Sequence, residues 1–598
     1  MPELRSGLSR ATLIVLALLT AGPGGADNTR AGAELAKAKV ALSRGDGIAA
    51  EVALRQALQA GAPKNAIAAA MGEALLDQGK LEKARAWLGP ADFAPPEALY
   101  GMRMLAQLET RQGNLIDAGK ALDRALAINP KHADVWVDIA QLRYRGGEQL
   151  ESVDAIDHAH AIDPGNVRAL QFRGLLVRDQ FGPSAALPWF EAALIRSPND
   201  GALLGDYAAT LGDLGQARKM LTVTRKMIEM EADKPRAYFL QAVLAAKAGN
   251  NSLARAMLNH IGDEMQGVPA ALLLAGVLDL QAGNANLAVD ALDRLVEIQP
   301  QNENAQLLLA RALYAAGKQT QLVDRFAAMA ASDAASPYLQ TLVGRALEDM
   351  GRREAAAPLL DRASADRVAG LVPAFDGDGD EAAGHYLASP RNADYTAAQV
   401  RLLLGEGRIG EALSIAERLR SDRPGLAAAQ ALAGDAHYAA GQYGAALDRY
   451  GQSARVRFDD ALLSRMVLTA AQAGQHNVAA NLVSTYLASH PQNREAVRLA
   501  ADYAASLGDW RRARALLEHL RDTGSQRDAR LLADLAFAQL RSGDSAGAEQ
   551  TAQAAWQIQR SNPAVAQSWA MALAVRKQQG LLAVVLAQRA SASAGAAR

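Results

Sequence analysis

The sequence predicts an all-α fold built as a long array of short repeats, and three observations support that prediction. The chain has 598 residues, far more than a single hydrophobic core accommodates. Half of its residues are apolar while aromatic residues make up only 5%, a balance that suits close-packed, alanine-rich helices better than a sandwich or barrel. Short glycine turns, among them RGD, QGK, QGN and GGE, recur in step along the chain.

The glycine turns define a repeat with a period of about 34 residues. A marker placed five positions after each turn glycine falls on an alanine in most copies. The markers are Ala50, Ala84, Ala118, Ser152, Ala186, Ala217, Ala254, Ala288, Leu322, Ala356, Ala412, Ala446, Ala479, Ala513, Ala548 and Ala583. Most intervals equal the period or differ from it by a single position, whereas the interval before Ala217 is shorter and the one after it longer. Only the interval from Ala356 to Ala412 is truly broken, because it is far longer than all the others.

Three further positions keep the same register. A proline stands twelve positions after several markers and predicts a junction between helices, because proline is tolerated at a helix start and not inside it. The prolines are Pro130, Pro164, Pro198, Pro300, Pro424 and Pro491. A small residue twelve positions before the marker and a large apolar residue four positions after it predict close packing of two helices. Gly72 with Leu88, Gly174 with Phe190 and Gly276 with Leu292 are examples.

These positions carry a family resemblance. The pattern small–x11–Ala–x3–large–x7–Pro, repeated at this period, resembles the tetratricopeptide repeat, and AGDAHYAAGQYGAALDRY is among the closest copies. That copy has Gly434, Tyr438, Ala446 and Tyr450, but it lacks the tryptophan of the family and Tyr438 stands one position late. The resemblance implies about 15–16 antiparallel helix pairs in a right-handed superhelix, whose first helices line a groove that binds a peptide or a protein.

Outward positions of the first helices are the candidate groove residues. They combine arginine, which offers a planar fork of donors to a carboxylate, with tyrosine and glutamine, and so suit an acidic peptide or a uronate-bearing glycan. The candidates are Arg103, Gln107, Arg111, Gln141, Tyr144, Arg145, Arg168, Gln171, Arg178, Arg311, Tyr314, Tyr338, Arg345 and Arg401. The alternative is that the arginines pair within their own helices, as Arg345 could with Glu348 or Asp349.

Composition and motifs favour a non-enzyme without cofactors or metal. Lys and Arg total 63 against 64 Asp and Glu, a net charge of −1 with no basic tail, which disfavours nucleic-acid binding. The chain has no cysteine and therefore no disulfide, thiolate zinc site or cysteine nucleophile. It also lacks a phosphate-binding loop, an HExxH pair and a GxSxG elbow. His158 and His160 are two positions apart on a helix and point to different faces.

One stretch, FDGDGDEAAGHYL, invites a metal-site interpretation. Asp376, Asp378 and Asp380 take the first, third and fifth places of a calcium loop, but the sixth place is Glu381 instead of glycine and the twelfth is Leu387 instead of glutamate. A site using the aspartates with His385 stays open at this point. The broken interval instead predicts a contracted repeat over 367–391, with Gly379-Asp380 as its turn and a short second helix ending before Pro390.

The N-terminus predicts export. Arg5 and Arg10 precede the apolar run ATLIVLALLT and the small residues AGPGGA, a pattern typical of a secretory signal peptide over 1–26 that is cleaved after Ala26. The alternative is an uncleaved inner-membrane anchor, although the run is about half the roughly 20 residues that span a bilayer. The domain prediction is a repeat array over 27–366, a contracted repeat or hinge over 367–391, and a second array over 392–598.

The sequence therefore predicts a non-catalytic binding scaffold in the periplasm, assuming a bacterial source for so alanine-rich a chain. Its partner is expected to be a protein or peptide, and no membrane span is expected after cleavage. The alternative function is a periplasmic component of an exopolysaccharide secretion or surface-anchoring system. An enzyme would need a catalytic domain outside the repeats, and none is evident.

Overall fold

A computed structural model describes residues 25–585 except 44, 232, 262–266, 333–334, 365–378, 561, 579 and 583. Within the described residues every regular element is a helix. Residues 1–24 of the predicted signal peptide lie outside this part, as do Asp376, Asp378 and the marker Ala583.

Helices alternate as the first and second members of antiparallel pairs. Before residue 365 they are α1 (Gly25–Leu42), α2 (Gly47–Gln59), α3 (Lys64–Asp77), α4 (Leu81–Leu88), α5 (Ala98–Arg111), α6 (Leu115–Ile128), α7 (Ala133–Arg145), α8 (Gln149–Ile162), α9 (Val167–Phe181), α10 (Pro183–Arg196), α11 (Gly201–Asp213), α12 (Ala217–Glu229), α13 (Lys234–Lys247), α14 (Asn251–Asn259), α15 (Pro269–Ala282), α16 (Ala285–Ile298), α17 (Glu303–Ala315), α18 (Gln319–Ala331), α19 (Pro337–Asp349) and α20 (Arg353–Ser364). Odd-numbered helices are first members in this part of the chain.

The alternation continues after residue 378 with the numbering parity reversed. The helices there are α21 (Gly379–Ala388), α22 (Ala393–Gly405), α23 (Ile409–Asp422), α24 (Ala427–Ala439), α25 (Tyr443–Ala454), α26 (Asp460–Gln472), α27 (His476–Ser489), α28 (Arg494–Ser506), α29 (Trp510–Leu520), α30 (Ala529–Arg541), α31 (Ser545–Ile558) and α32 (Pro563–Val575). Even-numbered helices from α22 onward are first members, and α21 is a second member. The predicted all-α repeat array is confirmed.

The turn inside each pair is made by a glycine in the left-handed region. Gly79 has a φ of 70° and Gly441 a φ of 72°, values that a side-chain-bearing residue rarely adopts. Five positions later the marker side chain is buried, as at Ala84 and Ala446, which are fully inaccessible to solvent. The predicted turn glycines and the marker position are therefore confirmed for these pairs.

The two irregular intervals on either side of Ala217 arise because the marker was placed at the wrong residue. The left-handed glycine of that pair is Gly215, with a φ of 71°, whereas Gly212 lies inside α11. The residue five positions after Gly215 is Met220, which is buried, while Ala217 is partly exposed. With Met220 as the marker, the intervals from Ala186 and to Ala254 both equal the period of the array. The sequence LGDLGQ contains two glycines, Gly212 and Gly215, and only Gly215 agrees with the period of the array.

Close packing through the small position is also confirmed. A Cβ built on Gly72 would lie 2.4 Å from Leu88 Cδ2, and one built on Gly434 would lie 2.4 Å from Tyr450 Cε1. Real Cβ atoms do not approach other atoms this closely, so the two helices of these pairs touch only because the first helix carries no side chain there.

The junction prolines precede helix caps. Two positions after Pro164 and Pro300, Asn166 and Asn302 accept hydrogen bonds from the backbone N–H groups of Ala169 (2.9 Å) and Ala305 (3.1 Å). Each cap satisfies a donor that the first turn of a helix leaves without an intrahelical partner. Several first helices are therefore preceded by a proline, one intervening residue and a capping asparagine or aspartate.

Residues 367–378 of the predicted contracted repeat lie outside the described part, and the residues from Gly379 onward include a short helix where its second helix was predicted. The predicted turn at Gly379-Asp380 is wrong. Helix α21 begins at Gly379, so Gly379 and Asp380 are its first two residues and not the turn before it. Asp380 and Glu381 lie in the first helical turn, where negative side chains are favoured by the partial positive charge of a helix N-terminus. That preference extends the helix to residues that sequence patterns assign to a turn.

The chain forms two compact units. Unit 1 comprises the described residues up to Gly146 together with Asp154–Pro164, and its core includes Leu54, Met71 and Leu88. Unit 2 comprises Gly147–Val153 and the described residues from Gly165 onward. Inside unit 2, consecutive helices pack in series, as expected for a solenoid in which each pair buries its apolar side against its neighbours.

Candidate functional site: the first-helix face

First helices of successive pairs contact one another in unit 2. The contacts include α11 with α13, α17 with α19, α22 with α24 and α26 with α28. Neighbouring elements approach more closely on the inner side of a curved stack than on the outer side, so the first helices occupy the inner side. We call the accessible side of the first helices of unit 2 the first-helix face.

Buried aspartates on this face bridge three successive first helices. Asp206 on α11 accepts a hydrogen bond from Gln171 Nε2 on α9 at 2.7 Å. It also forms an ion pair with Arg236 on α13, with Nη2 2.6 Å from Oδ1. Because the carboxylate is largely buried, both charge-assisted contacts are stronger than they would be in water. They fix the spacing of α9, α11 and α13.

The same arrangement recurs around Asp435 on α24. Arg465 on α26 lies 3.2 Å from the carboxylate, and Arg401 on α22 contributes a favourable charge. Tyr450 of the second helix α25 donates its hydroxyl to Asp435 Oδ1 at 2.8 Å. Desolvation of the carboxyl outweighs these partners and raises the pKa of Asp435 to about 6.

Unit 1 contains a related bridge. Arg103 on α5 donates from Nε to Asp138 Oδ2 of α7 at 2.6 Å and lies 3.4 Å from Asp134 of the same helix. Arg103 is mostly buried, so its guanidinium is held by the next repeat instead of being presented to solvent. Arg111 of α5 donates to the backbone carbonyl of Leu76 on α3.

The remaining predicted groove residues of unit 1 differ in accessibility. Gln107, Gln141 and Tyr144 are partly exposed, and Arg145 is exposed at the end of α7. The predicted arginines of unit 1 are therefore not equivalent. Arg103 and Arg111 hold neighbouring repeats together, whereas Arg145 faces solvent.

Unit 2 holds the other predicted residues. Arg168 is partly buried and has a partner, and Arg178 is paired with Asp213 of the next first helix. Tyr314 forms a side-chain hydrogen bond with Asp349, one repeat later. Arg345 Nη1 lies 2.6 Å from Glu348 Oε2 within the same helix. That last pair is the within-helix alternative that the sequence left open.

Four predicted residues of unit 2 remain substantially accessible. Arg311 on α17 and Arg401 on α22 are exposed, and the side chain of Tyr338 on α19 is 46% exposed. With Arg345, which is exposed despite its ion pair, Arg311 and Tyr338 place two positive charges and a phenol ring on α17 and α19, two first helices in contact. A role in binding stays a prediction for all of the groove residues.

Sequence reasoning missed the aspartates at the centre of these bridges. Asp138 stands 35 residues after Arg103, and Asp206 stands 35 residues after Gln171. Asp435 likewise stands one period after Arg401. A donor followed about one period later by an aspartate was the available signal. Patterns within a single helix do not reveal this signal, because the donor and the acid lie on neighbouring first helices.

An apolar pocket opens between the first helices α11, α13 and α15. Phe239 and Leu240 of α13 line it together with Ala209 of α11 and Ala270 of α15, and Arg236 stands at its edge. An aromatic ring beside a fixed guanidinium suits an apolar side chain of a bound segment.

Metal ligation finds no support among the described residues, which contain no cluster of three or more histidine, cysteine, aspartate or glutamate side chains able to hold an ion. His158 packs edge-on against Trp136, with ring centroids 4.3 Å apart. None of the described helices has the length and apolar character that a membrane-crossing segment requires.

Comparison with known families identifies the repeat. The family model described as "Tetratricopeptide repeat" matches residues 103–167, which include α6 and α7. No curated protein matches the chain in sequence.

Solved structures with similar helical arrays share little sequence with the chain. A hetero-tetramer of the APC/C subunits Cut9 and Hcn1 is 13% identical, with 95% of each chain covered and a TM-score of 0.39. PilF of Pseudomonas aeruginosa is 19% identical over 36% of this chain and 99% of its own, with a TM-score of 0.31. Yeast Tom70 is 12% identical over 81% of this chain and 97% of its own, with a TM-score of 0.32. Scores this low carry no inference about partner or process.

Proposed function

Because the chain is a tetratricopeptide repeat protein, we propose that it is a non-catalytic scaffold that binds a segment of a partner protein along the first-helix face of unit 2. Proteins of this family bind protein or peptide partners, and a stacked array of helix pairs offers a long continuous surface for an extended or helical segment. The observation that carries the proposal is the accessible set Arg311, Tyr338 and Arg345 on α17 and α19.

The bridged aspartates support this proposal by making rigid the two parts of the first-helix face that flank α15 to α19. Asp206 and Asp435 each hold neighbouring first helices at a fixed spacing, so a partner does not have to order the face when it binds. Surfaces that are organised in advance lose less conformational entropy on association and bind more tightly for the same contacts.

The partner that this face suits carries acidic and apolar side chains. Arg311 and Arg345 offer guanidinium groups that can hold carboxylates in a bidentate geometry, and Tyr338 offers a rigid amphipathic ring. The Phe239 pocket, two repeats earlier, accepts an apolar group. We therefore place the partner segment across α13 to α19.

We propose that the scaffold works in the cell envelope after export. Support comes from the basic residues, apolar run and small residues of the first 26 positions. The alternative, that the chain is a periplasmic component of an exopolysaccharide secretion or surface-anchoring system, remains a sequence prediction, and its partner would then be polysaccharide-export machinery.

Charge reversal on the face tests the proposal. Tagged full-length protein is recovered from the periplasmic fraction, where N-terminal sequencing should show Asp27 as its first residue, and co-purified proteins are quantified. We expect Arg311→Glu with Arg345→Glu to lower recovery of the partner about tenfold, because a loss of about 1.4 kcal/mol lowers the affinity tenfold.

The matched control is Arg352→Glu with Arg353→Glu, two exposed arginines at the start of the second helix α20. It changes the net charge equally and should leave recovery unchanged. Equal recovery from both double variants would contradict the placement of the partner on the first-helix face, and a mature protein retaining residues 1–26 would contradict cleaved export.

A further inference from the structure

Unit 2 contacts itself at a distance of roughly eight repeats along the chain. Three successive turns, at residues 147–151, 178–183 and 213–215, face three successive loops, at residues 423–427, 455–459 and 489–493. The turns join a first helix to its second helix, and the loops join a second helix to the next first helix. We call these six segments together the seam.

The first level of the seam joins residues 147–151 to 423–427. The backbone N–H of Leu150 donates to the carbonyl of Gly425 at 3.3 Å, and the N–H of Ala427 donates to Gln149 Oε1 at 3.1 Å. Gly425 is pressed against Glu151, since a Cβ at residue 425 would lie 2.0 Å from Glu151 Oε2. A small side chain at residue 425 would only displace the flexible end of Glu151, whereas a large one would separate the two segments.

The second level joins residues 178–183 to 455–459. The N–H of Phe458 donates to the carbonyl of Asp179 at 2.9 Å, and Gln180 Nε2 donates to the carbonyl of Arg455 at 2.7 Å. Gln180 and Arg455 are 275 residues apart, close to the 278 residues that separate the bonded pair of the first level. The two levels therefore share one register.

The third level joins residues 182 and 215 to 489–493. A Cβ on Gly182 would lie 2.6 Å from His490 Cε1, and a Cβ on Gly215 would lie 3.1 Å from Gln492 Nε2. Helices α10 and α27 also touch here. Gly215 and Gln492 keep the register of the first two levels, whereas Gly182 reaches a loop one repeat further along than that register sets. Segments of unit 2 that are about eight repeats apart therefore meet at all three levels.

The seam joins turns to loops, whereas each helix pair packs along the length of two helices. A surface pocket beside it is lined by Arg178, Asp213, Arg457 and Asp459 together with Phe458 and Tyr486, and each of the four hydrogen bonds named above uses at least one backbone group. Helix pairs, by contrast, bury fully enclosed side chains such as that of Phe190. Contacts with little buried apolar area open at a small fraction of the free energy that unfolding a pair requires.

We propose that the seam is a latch that holds these three turns against these three loops and that opens while the helix pairs stay folded. A closed latch covers one side of the enclosed first helices, so a partner reaches them by threading from an end, and an open latch admits it from the side. This consequence for the partner rests on the proposed function, whereas the latch itself does not.

Distances between two spin labels test the latch. The chain has no cysteine, so Ile195→Cys on α10 and Ser484→Cys on α27 create the only two labelling sites, one on each side of the seam. In the full-length protein we expect one narrow distance population. Adding Gly425→Phe and Gln149→Ala should lengthen the distances between the two labels and broaden their distribution. The phenyl ring separates the two segments of the first level, and the alanine removes the hydrogen bond to Ala427.

Gln301→Phe is the matched control, because Gln301 follows Pro300 as Gly425 follows Pro424, and it is exposed. It should leave the distances unchanged. The helical circular dichroism of the variant with Gly425→Phe and Gln149→Ala should equal that of the double-cysteine protein. The latch would be overturned by any of three results: a label-distance distribution of the double-cysteine protein already as broad as that of the variant with Gly425→Phe and Gln149→Ala, no change in distance in that variant, or a loss of helix in it. No partner is needed, so this result is separate from that of the partner-recovery experiment.

Discussion

Gly434→Ala should destabilise unit 2 by about 2–3 kcal/mol, although alanine is the better helix former by about 1 kcal/mol. The added Cβ would lie 2.4 Å from the ring of Tyr450, which is fully buried and has no free space to move into. Because ring and backbone are both held by neighbouring pairs, the clash outweighs the gain in helix propensity. Urea denaturation followed by circular dichroism measures the change.

Two comparisons make this result specific. Gly451→Ala in α25 adds the same methyl group where nothing lies within 4 Å, and it should stabilise the protein by roughly 0.5–1 kcal/mol. Combining Gly434→Ala with Tyr450→Leu recreates the pair that Ala106 and Leu122 form elsewhere in the chain. The double variant should therefore lose less than the sum of its single variants. Additive losses would show that Gly434 and Tyr450 do not limit the approach of the two helices.

Asp435→Asn should remove a pH dependence of stability of about 2 kcal/mol between pH 4 and pH 7. Burial raises the pKa of the Asp435 carboxyl to about 6, well above its usual value, and the side chain is 3% exposed. The folded protein thus holds this proton more tightly than the unfolded chain. The resulting stabilisation is complete below about pH 4 and is lost as the pH rises through 6. Asparagine does not ionise and so avoids that loss.

The measurement is urea denaturation of native and variant proteins at pH 4, 5, 6 and 7. Hydrogen bonds from Arg55 to Glu51, and from Arg420, His437 and Arg449 to Glu417 against the opposing effect of burial, lower the pKa values of these two carboxyls to about 2. Their stabilisation begins to fall as the pH drops below about 4.5, but native and variant proteins share this loss, so it cancels in the difference between them. Asp448→Asn, an exposed position on α25, is the control and should leave the pH profile unchanged. A native-minus-variant difference that is constant from pH 4 to pH 7 would contradict the prediction for Asp435.

Much of the repeat could be predicted because it depends on local sequence. A turn glycine, a buried marker and a small residue facing a large one are all set within about 20 residues, and each leaves a pattern that a fixed period amplifies. The pairing of Gly434 with Tyr450 was predictable for that reason. The error at Ala217 arose where two glycines competed for one turn, and the error at Gly379 arose where acidic residues prolonged a helix.

The rest depends on geometry that accumulates over many repeats. Asp206 and Asp435 act between neighbouring pairs, and their roles follow from side-chain positions on three helices, although the one-period spacing gave a usable signal. The seam joins Asp179 to Phe458, and its existence depends on small rotations summed over roughly eight repeats. No local pattern in the sequence encodes such a sum.

Site-specific photo-crosslinking in living cells shows whether a partner protein binds the first-helix face of unit 2. A benzophenone amino acid replaces Tyr338 on the first helix α19 or Phe239 on α13. In a matched control it replaces Leu287 on the second helix α16, which is 56% exposed against 46% for Tyr338. If the partner binds the first-helix face, we expect one discrete crosslinked partner from residues 338 and 239 and none from residue 287. A crosslink of equal yield from residue 287, or from that residue alone, would contradict binding at this face.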